Sequence, residues 1–427
     1  MDATEIATLK ALMAWEGQRT APPEGFPALP DLAAGLYTDP AFFALEREHV
    51  FRKSWLFAAH IDEIPEPGCT MRWDNAGEPL IIVHGADGVV RAFYNTCRHR
   101  GAPVVTQARC KAQRLVCGYH NWTYKTDGSL VGMPEARDFA ALDRATRGLI
   151  PVRCERLGTC IFVNFDDDAM TLAEWLGPIA DEWAEFAFDR LKLGARYSFD
   201  LNCNWKVAME ANMEVYHVPF IHPETVATLV DSRRNFNAFY PNGHARMLAP
   251  APDDGDRAVM RAVSVPQNWR ANPHVGELGR DCTQSYTLFP NWVSPLSDWF
   301  VPPLLFWPTS PTTCRLELIT MAPPWDEGPA PDLWTIPDAT QPNGRRMSPI
   351  IEEDTQFGDA IQRAMESSGF RSVPLGYQEA RIYWFHQAID AMIGASRVPA
   401  HLRVDPVLDD RWIGDADPRR AALARAS

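Results

Sequence analysis

The chain has 427 residues, 46% of them hydrophobic, and 41 basic against 55 acidic side chains give it a formal charge of −14. Such a length allows two or three domains with ordinary cores, while the composition excludes a disordered chain and the sequence holds no run of the roughly 18 apolar residues that a membrane-spanning helix needs. An acidic balance without a basic stripe disfavours nucleic acid and anionic membranes as partners, and nine scattered cysteines behind a Met1-Asp2-Ala3-Thr4-Glu5 start argue against a disulfide scaffold or a secretory signal, so a reducing cytoplasm is the expected location.

Residues 1–50 read as a helical segment punctuated by Pro22-Pro23, Pro27 and Pro30. From 51 to 165 the pattern changes to short β-like runs. Leu80 to His84, the Gly85-Ala86-Asp87-Gly88 turn and Val89 to Tyr94 make a hairpin, and Cys160 to Phe165 reads as a closing strand. From 166 to 427 helices and strands mix. Leu172–Leu191 has the pattern of an amphipathic helix, and residues 200–218 that of a strand leading into a helix. Ser285–Met321 is rich in β-formers, whereas Ile350–Glu366 and Tyr377–Ile393 are helical. The proline-rich stretch Pro323–Asn343 predicts a long surface loop.

Cys97-Arg98-His99 and Cys117-Gly118-Tyr119-His120 supply two thiolates and two imidazoles, the ligand set of a Rieske [2Fe–2S] cluster. Zinc fingers pair Cys with Cys and His with His, whereas each pair here mixes the two. Arg98, Arg100, Arg109, Lys111 and Arg114 make this segment basic, as a surface for an acidic electron donor or simply as a solvated loop.

A second set lies in Asn204 to Pro223. His217 and His222 are five apart, which an ideal helix would splay by about 140°. Pro219 and Pro223 oppose a regular helix, so a helix ending near His217 with His222 on the next turn would let the imidazoles converge. Two histidines and a carboxylate form the facial triad of non-haem Fe(II) oxygenases. Trp205, Tyr216, Trp292, Trp299, Phe300, Phe306 and Trp307 are candidates for an apolar pocket, or for ordinary core.

The run C-R-H-R-G-A at 97–102, C-G-Y-H-N-W-T-Y at 117–124, Phe162-Val163-Asn164, the N-W-K…E…Y-H…H-P block and Glu353-Asp354 followed by Gln362, Gly376-Tyr377-Gln378-Glu379 and Phe385-His386 together resemble the α subunit of the Rieske non-haem iron oxygenases. Gly118, Asn121 and Ala211 depart from the commoner residues without touching a ligand. The resemblance implies an α+β chain: a small all-β Rieske domain at 51–165, a helix-grip-like (START-type) domain with an antiparallel sheet and helices at 166–427, and residues 1–50 packing on the latter. It implies cluster ligands Cys97, His99, Cys117 and His120. It also implies mononuclear Fe(II) ligands His217, His222 and Asp354, with Asp359, Asp326 and Asp332 left as alternatives to the aspartate by spacing alone. Glu214 is implied as the acid that links this iron to a cluster histidine of a neighbouring subunit in a homotrimer (α3), or in an α3β3 assembly. The partners implied are O₂, a small organic substrate, aromatic or a quaternary amine, and an NAD(P)H-dependent reductase, with or without a ferredoxin, since the chain holds no flavin or dinucleotide motif. A pure Rieske electron carrier and a zinc-stabilised binding module are the rival readings.

Overall fold

A computed structural model describes residues 1–252 and 266–420. The chain divides into two compact units, Phe51–Leu172 and Met1–Val50 with Ala173–Ser427.

The smaller unit is all β apart from short 3-10 turns. Seven antiparallel strands form one sheet, ordered Leu56–His60, Cys160–Asn164, Pro151–Leu157, Val90–Tyr94, Leu80–His84, Cys69–Trp73 and Arg109–Lys111. A three-stranded sheet of Arg114–Val116, Thr123–Lys125 and Leu130–Gly132 stands apart from it. The hairpin turn read at Gly85–Gly88 closes on Gly88, whose φ of +79° suits only glycine without strain. Two loops leave these sheets, 95–108 and 117–122, and a core of Phe93, Leu115, Trp122, Tyr124 and Leu130 packs beneath them.

The larger unit is built on a seven-stranded antiparallel sheet in the order Lys192–Leu201, Thr313–Ala322, Leu304–Ser310, Trp292–Leu296, Cys282–Leu288, Ala245–Pro250 and Phe236–Phe239. Helices Trp205–Glu210, Pro349–Thr355, Gly358–Met365 and Ala380–Ile393 belong to the same unit. The helix expected over Leu172–Leu191 is broken into Leu172–Leu176, Pro178–Glu182 and a 3-10 turn at Trp183–Phe186, because Gly177 takes φ +54° and Pro178 restarts the helix at its first turn. The stretch Pro323–Asn343 is not merely a surface loop: Thr335–Pro337 pairs with Arg345–Met347, and Trp334 is buried with its indole N–H donating to the Pro302 carbonyl at 3.2 Å.

Buried polar groups fix the helix that leads to the histidine pair. Asn204 caps Trp205–Glu210 by accepting the Lys206 N–H at 2.9 Å. Lys206, wholly buried, pairs with Glu46, which also accepts the Trp205 indole N–H at 3.3 Å. At the other end of the helix, Glu210 accepts the Tyr37 hydroxyl at 2.9 Å and lies 2.7 Å from His386 Nε2. Removing one member of such a set would leave a buried charge or donor alone, the costly case.

His244 supplies a stability switch of known sign. Its Nε2–H donates to the Trp175 carbonyl at 2.8 Å while Nδ1 accepts the Phe289 N–H at 3.0 Å, so both nitrogens are committed to the neutral ring. Burial lowers its pKa from 6.5 to about 4. The unfolded chain therefore binds this proton first: the stabilisation is complete above pH 6.5, declines as pH falls and is spent near pH 4. The total is on the order of 3 kcal/mol. His244→Gln, which keeps a donor and an acceptor but cannot titrate, should flatten the fall in urea midpoint between pH 7 and 5; an unchanged slope would remove His244 as the source.

Candidate metal centres

In the smaller unit, the loops 95–108 and 117–122 carry the two Cys/His pairs. Each loop closes on itself: Gly101 N–H donates to the Cys97 carbonyl at 2.9 Å, and Asn121 N–H donates to the Cys117 carbonyl at 2.9 Å. Both closing residues are left-handed, Gly101 at φ +77° and Asn121 at +55°. Asparagine tolerates that region better than other side-chain-bearing residues, which explains how Asn121 serves where glycine is commoner. Cys97 and Cys117 are buried. The His99 and His120 rings lie 4.6 Å apart at 66°, and His99 stacks on Trp122 at 4.9 Å and 7°.

His99 Nδ1 is buried and has no hydrogen-bond partner among the described residues. A bare imidazole nitrogen beside two thiols and a second imidazole fits a Rieske cluster better than any purely structural role. Tyr124 accepts the Arg98 N–H at 3.0 Å and lies 3.3 Å from Cys97 Sγ, where its hydroxyl would donate to a thiolate. A hydrogen bond to a cluster sulfur raises the potential of the centre. Of the basic residues nearby, Arg109 and Lys111 pair with Glu63 and Glu66, which takes two charges out of the surface read from sequence.

In the larger unit the local geometry differs from expectation. The helix from Trp205 ends at Glu210 rather than near His217, and the two histidines instead bracket a single helical turn, Val218–Ile221, as its N-cap and C-cap. Pro219 is tolerated because its missing N–H falls in the first turn, where no intrahelical acceptor exists. The imidazoles converge, with ring centroids 5.2 Å apart.

His217, His222 and Asp354 each offer a ligand atom within 4.8 Å of the others. Asp354 Oδ1 is 2.8 Å from His222 Nε2 and 3.4 Å from His217 Nε2. The alternative aspartates are engaged elsewhere. Asp359 accepts from Arg363 at 2.7 Å, Asp326 pairs with Arg270, and Asp332 accepts the N–H groups of Trp334 and Thr335 at 3.2 and 3.0 Å.

The outer nitrogens of both histidines are also held. His217 Nδ1 bonds to Glu214, whose carboxylate further accepts the backbone N–H groups of Tyr216 and His217. His222 Nδ1 lies 2.7 Å from Glu353, which takes the Thr225 hydroxyl at 2.7 Å. Such carboxylate–histidine pairs fix the tautomer and leave both Nε2 lone pairs aimed at one point, the arrangement a metal ion needs. Burial works against charging His217, yet Asp354 and Glu214 carry its pKa up to about 9, so the site strongly favours a positive charge.

The sequence reading left out Glu353 and Thr225 as supports; the only signal was that Glu353 adjoins Asp354. Glu353→Ala, which removes the acceptor altogether, should weaken iron retention against a chelator by about 10- to 100-fold. Retention equal to wild type would make Glu353 a solvated acid.

Beside this triad lies a cavity of about 230 Å³, lined among others by Val215, Val218, Met247, Val293, Phe300 and Trp334. Of the aromatic candidates, Phe300 alone lines it. Trp205, Trp292, Phe306 and Trp307 are buried core, and Tyr216 is exposed. Strand alternation explains Trp292, which points to the face opposite Val293. Trp334 was missed because it lies in the supposed surface loop.

The family model for the Rieske [2Fe-2S] domain matches residues 54–146, and that for the ring hydroxylating alpha subunit catalytic domain matches residues 188–395. The glycine betaine monooxygenase oxygenase subunit of Chromohalobacter salexigens is 37% identical over 197 residues, 46% of this chain and 44% of that one. The carnitine monooxygenase oxygenase subunit of Acinetobacter baumannii is 33% identical over 207 residues, 47% of this chain and 56% of that one. The chain thus spans about half the length of the curated relatives it matches. A solved quaternary ammonium Rieske monooxygenase shares the fold, with TM-score 0.68 and 23% identity over 87% of this chain and 99% of that one. A Rieske domain followed by a ring-hydroxylating catalytic domain, with the metal-ligand types of both in place, makes this chain a member of the Rieske non-haem iron oxygenase α-subunit family.

Proposed function

We propose that the chain is the terminal oxygenase of a multicomponent system that hydroxylates or demethylates a small organic molecule with O₂ and electrons from a separate NAD(P)H-dependent reductase, directly or through a ferredoxin. The observation that carries this reading is the His217/His222/Asp354 triad at the wall of an apolar cavity. Bound there, iron would supply O₂ activation, and a cluster on Cys97, His99, Cys117 and His120 would supply one-electron transfer. The chain's own contribution is placement. Glu214 and Glu353 hold the imidazoles, and the apolar lining excludes water and seats the substrate against the triad.

For the substrate, a quaternary amine has the support of the names of the two relatives, and Phe300 and Trp334 supply aromatic surface that suits such a cation. An aromatic substrate has the support of the many aliphatic residues in the lining, among them Val215, Val218, Leu229 and Leu304. We further take the working assembly to be a homotrimer in which Glu214 links the triad to a cluster histidine of the next copy. Tyr216 and Phe220, 60% and 73% exposed beside it, offer apolar surface for that contact.

The test is NADH-coupled O₂ consumption with a surrogate reductase across quaternary amines, methoxyarenes and aromatic acids, followed by product analysis. Formaldehyde or a hydroxylated product is expected. A colourless, zinc-containing protein without a Rieske EPR signal would replace this reading by the zinc module.

A further inference from the structure

Arg381 is the second residue of the helix Ala380–Ile393 and is wholly buried. Its Nη2 donates to Thr287 Oγ1, while Nε and Nη1 have no hydrogen-bond partner among the described residues. A guanidinium carries five donors in a rigid fork and keeps its charge at neutral pH, so a buried one is normally matched by an anion. Glu214 is the acid whose field it feels, but that carboxylate is already taken by His217 and two backbone N–H groups. Burial pushes the Arg381 guanidinium down to about 9, the mark of a cation without a close counter-charge.

Strand register brings this cation toward one end of the cavity, whose lining stops short of Thr287 and Arg381. Thr287 lies directly opposite Val293 and two residues along the strand from Ser285, and both of those line the cavity. Residues directly opposite, or two apart, share a face of the sheet with side chains about 5–7 Å apart. The polar edge Thr283, Ser285, Thr287 therefore runs along one strand from the cavity to the guanidinium. Met247, opposite Ser285, also lines the cavity and shares this face. Its unbranched side chain has other rotamers available at little cost. The described lining residues include no lysine or arginine.

We propose that Arg381 anchors an anionic group of the substrate, a carboxylate or sulfonate, at the Ser285–Thr287 end of the cavity. The substrate is then an organic acid or a zwitterion, which rests on the oxygenase reading for the role of the cavity. Ser285 and Thr287 are positioned to share the anion's remaining oxygen contacts.

The experiment is equilibrium binding of benzoate, benzenesulfonate and neutral benzamide to the iron-loaded, cluster-containing protein, by calorimetry. At least one acid should bind tenfold or more tightly than benzamide. Arg381→Gln should abolish that preference, and Arg381→Lys should retain part of it. Benzamide binding as tightly as both acids, binding of neither acid, or an unchanged preference in Arg381→Gln would each overturn the anchor. If Arg381→Gln fails to fold, the wild-type comparison and Arg381→Lys decide. Anion preference without O₂ consumption on any compound would keep the anchor and remove the oxygenase. Turnover of neutral compounds without anion preference would do the reverse.

Discussion

Asp354→Ala is expected to empty the triad of iron while leaving the cluster's visible absorption and EPR signal unchanged. The aspartate is the only anionic member of the set His217, His222 and Asp354, and its Oδ1 stands within 3.4 Å of both Nε2 atoms. Two neutral imidazoles remain after the change, and they bind a divalent ion far more weakly than a facial triad does. Loss of an outer partner of a metal ligand typically costs 10- to 100-fold in affinity, and loss of a ligand itself should exceed about 100-fold. Neighbouring acids cannot replace it. Asp359 faces Arg363, and Glu353 is held by His222 Nδ1 and Thr225 on the far side of the imidazole. Iron analysis after gel filtration checks the first half of the prediction, the visible and EPR spectra the second, and coupled O₂ uptake reads the loss of turnover that should follow. Full iron content with undiminished turnover would mean that the carboxylate comes from elsewhere.

The candidate ligands were legible where their spacing is local. Each Cys/His pair sits within one tight loop, so spacing alone nearly fixes its geometry, and even the left-handed turn at Asn121 has a residue suited to it. His217 and His222 were legible as a pair but not in their setting. Pro219 was read as a reason against a regular helix, and the chain uses it inside the first turn of a one-turn helix that spaces the imidazoles. The cavity was largely illegible. Its walls come from strand faces whose register decides whether Val293 or Trp292 points inward, and alternation alone cannot say which face is which. Trp334 depends on a proline-rich stretch folding back on the Pro302 carbonyl, and Arg381 on a helix end reaching Thr287 from 94 positions away. Such contacts are decided by tertiary packing, for which a single sequence offers no periodic signal.

Glu214→Gln is expected to leave both centres metal-loaded and to lower turnover on the order of 100-fold. Gln keeps a side-chain carbonyl that can accept from His217 Nδ1 and from the N–H groups of Tyr216 and His217, so the imidazole stays in place. What disappears is the negative charge and one strong acceptor, which the proposed link to a neighbouring subunit's cluster histidine requires. The two roles of Glu214 separate in the readout. If it only orients His217, Glu214→Gln should weaken iron binding modestly, and iron-replete protein should turn over normally. If it also links the centres across the subunit boundary, iron content stays full while reoxidation of the reduced cluster, with substrate and O₂ present, slows along with turnover. Glu214→Ala serves as the control, since it removes the support of His217 as well and should lower both iron retention and rate. Normal cluster reoxidation in iron-replete Glu214→Gln would confine this acid to holding the imidazole.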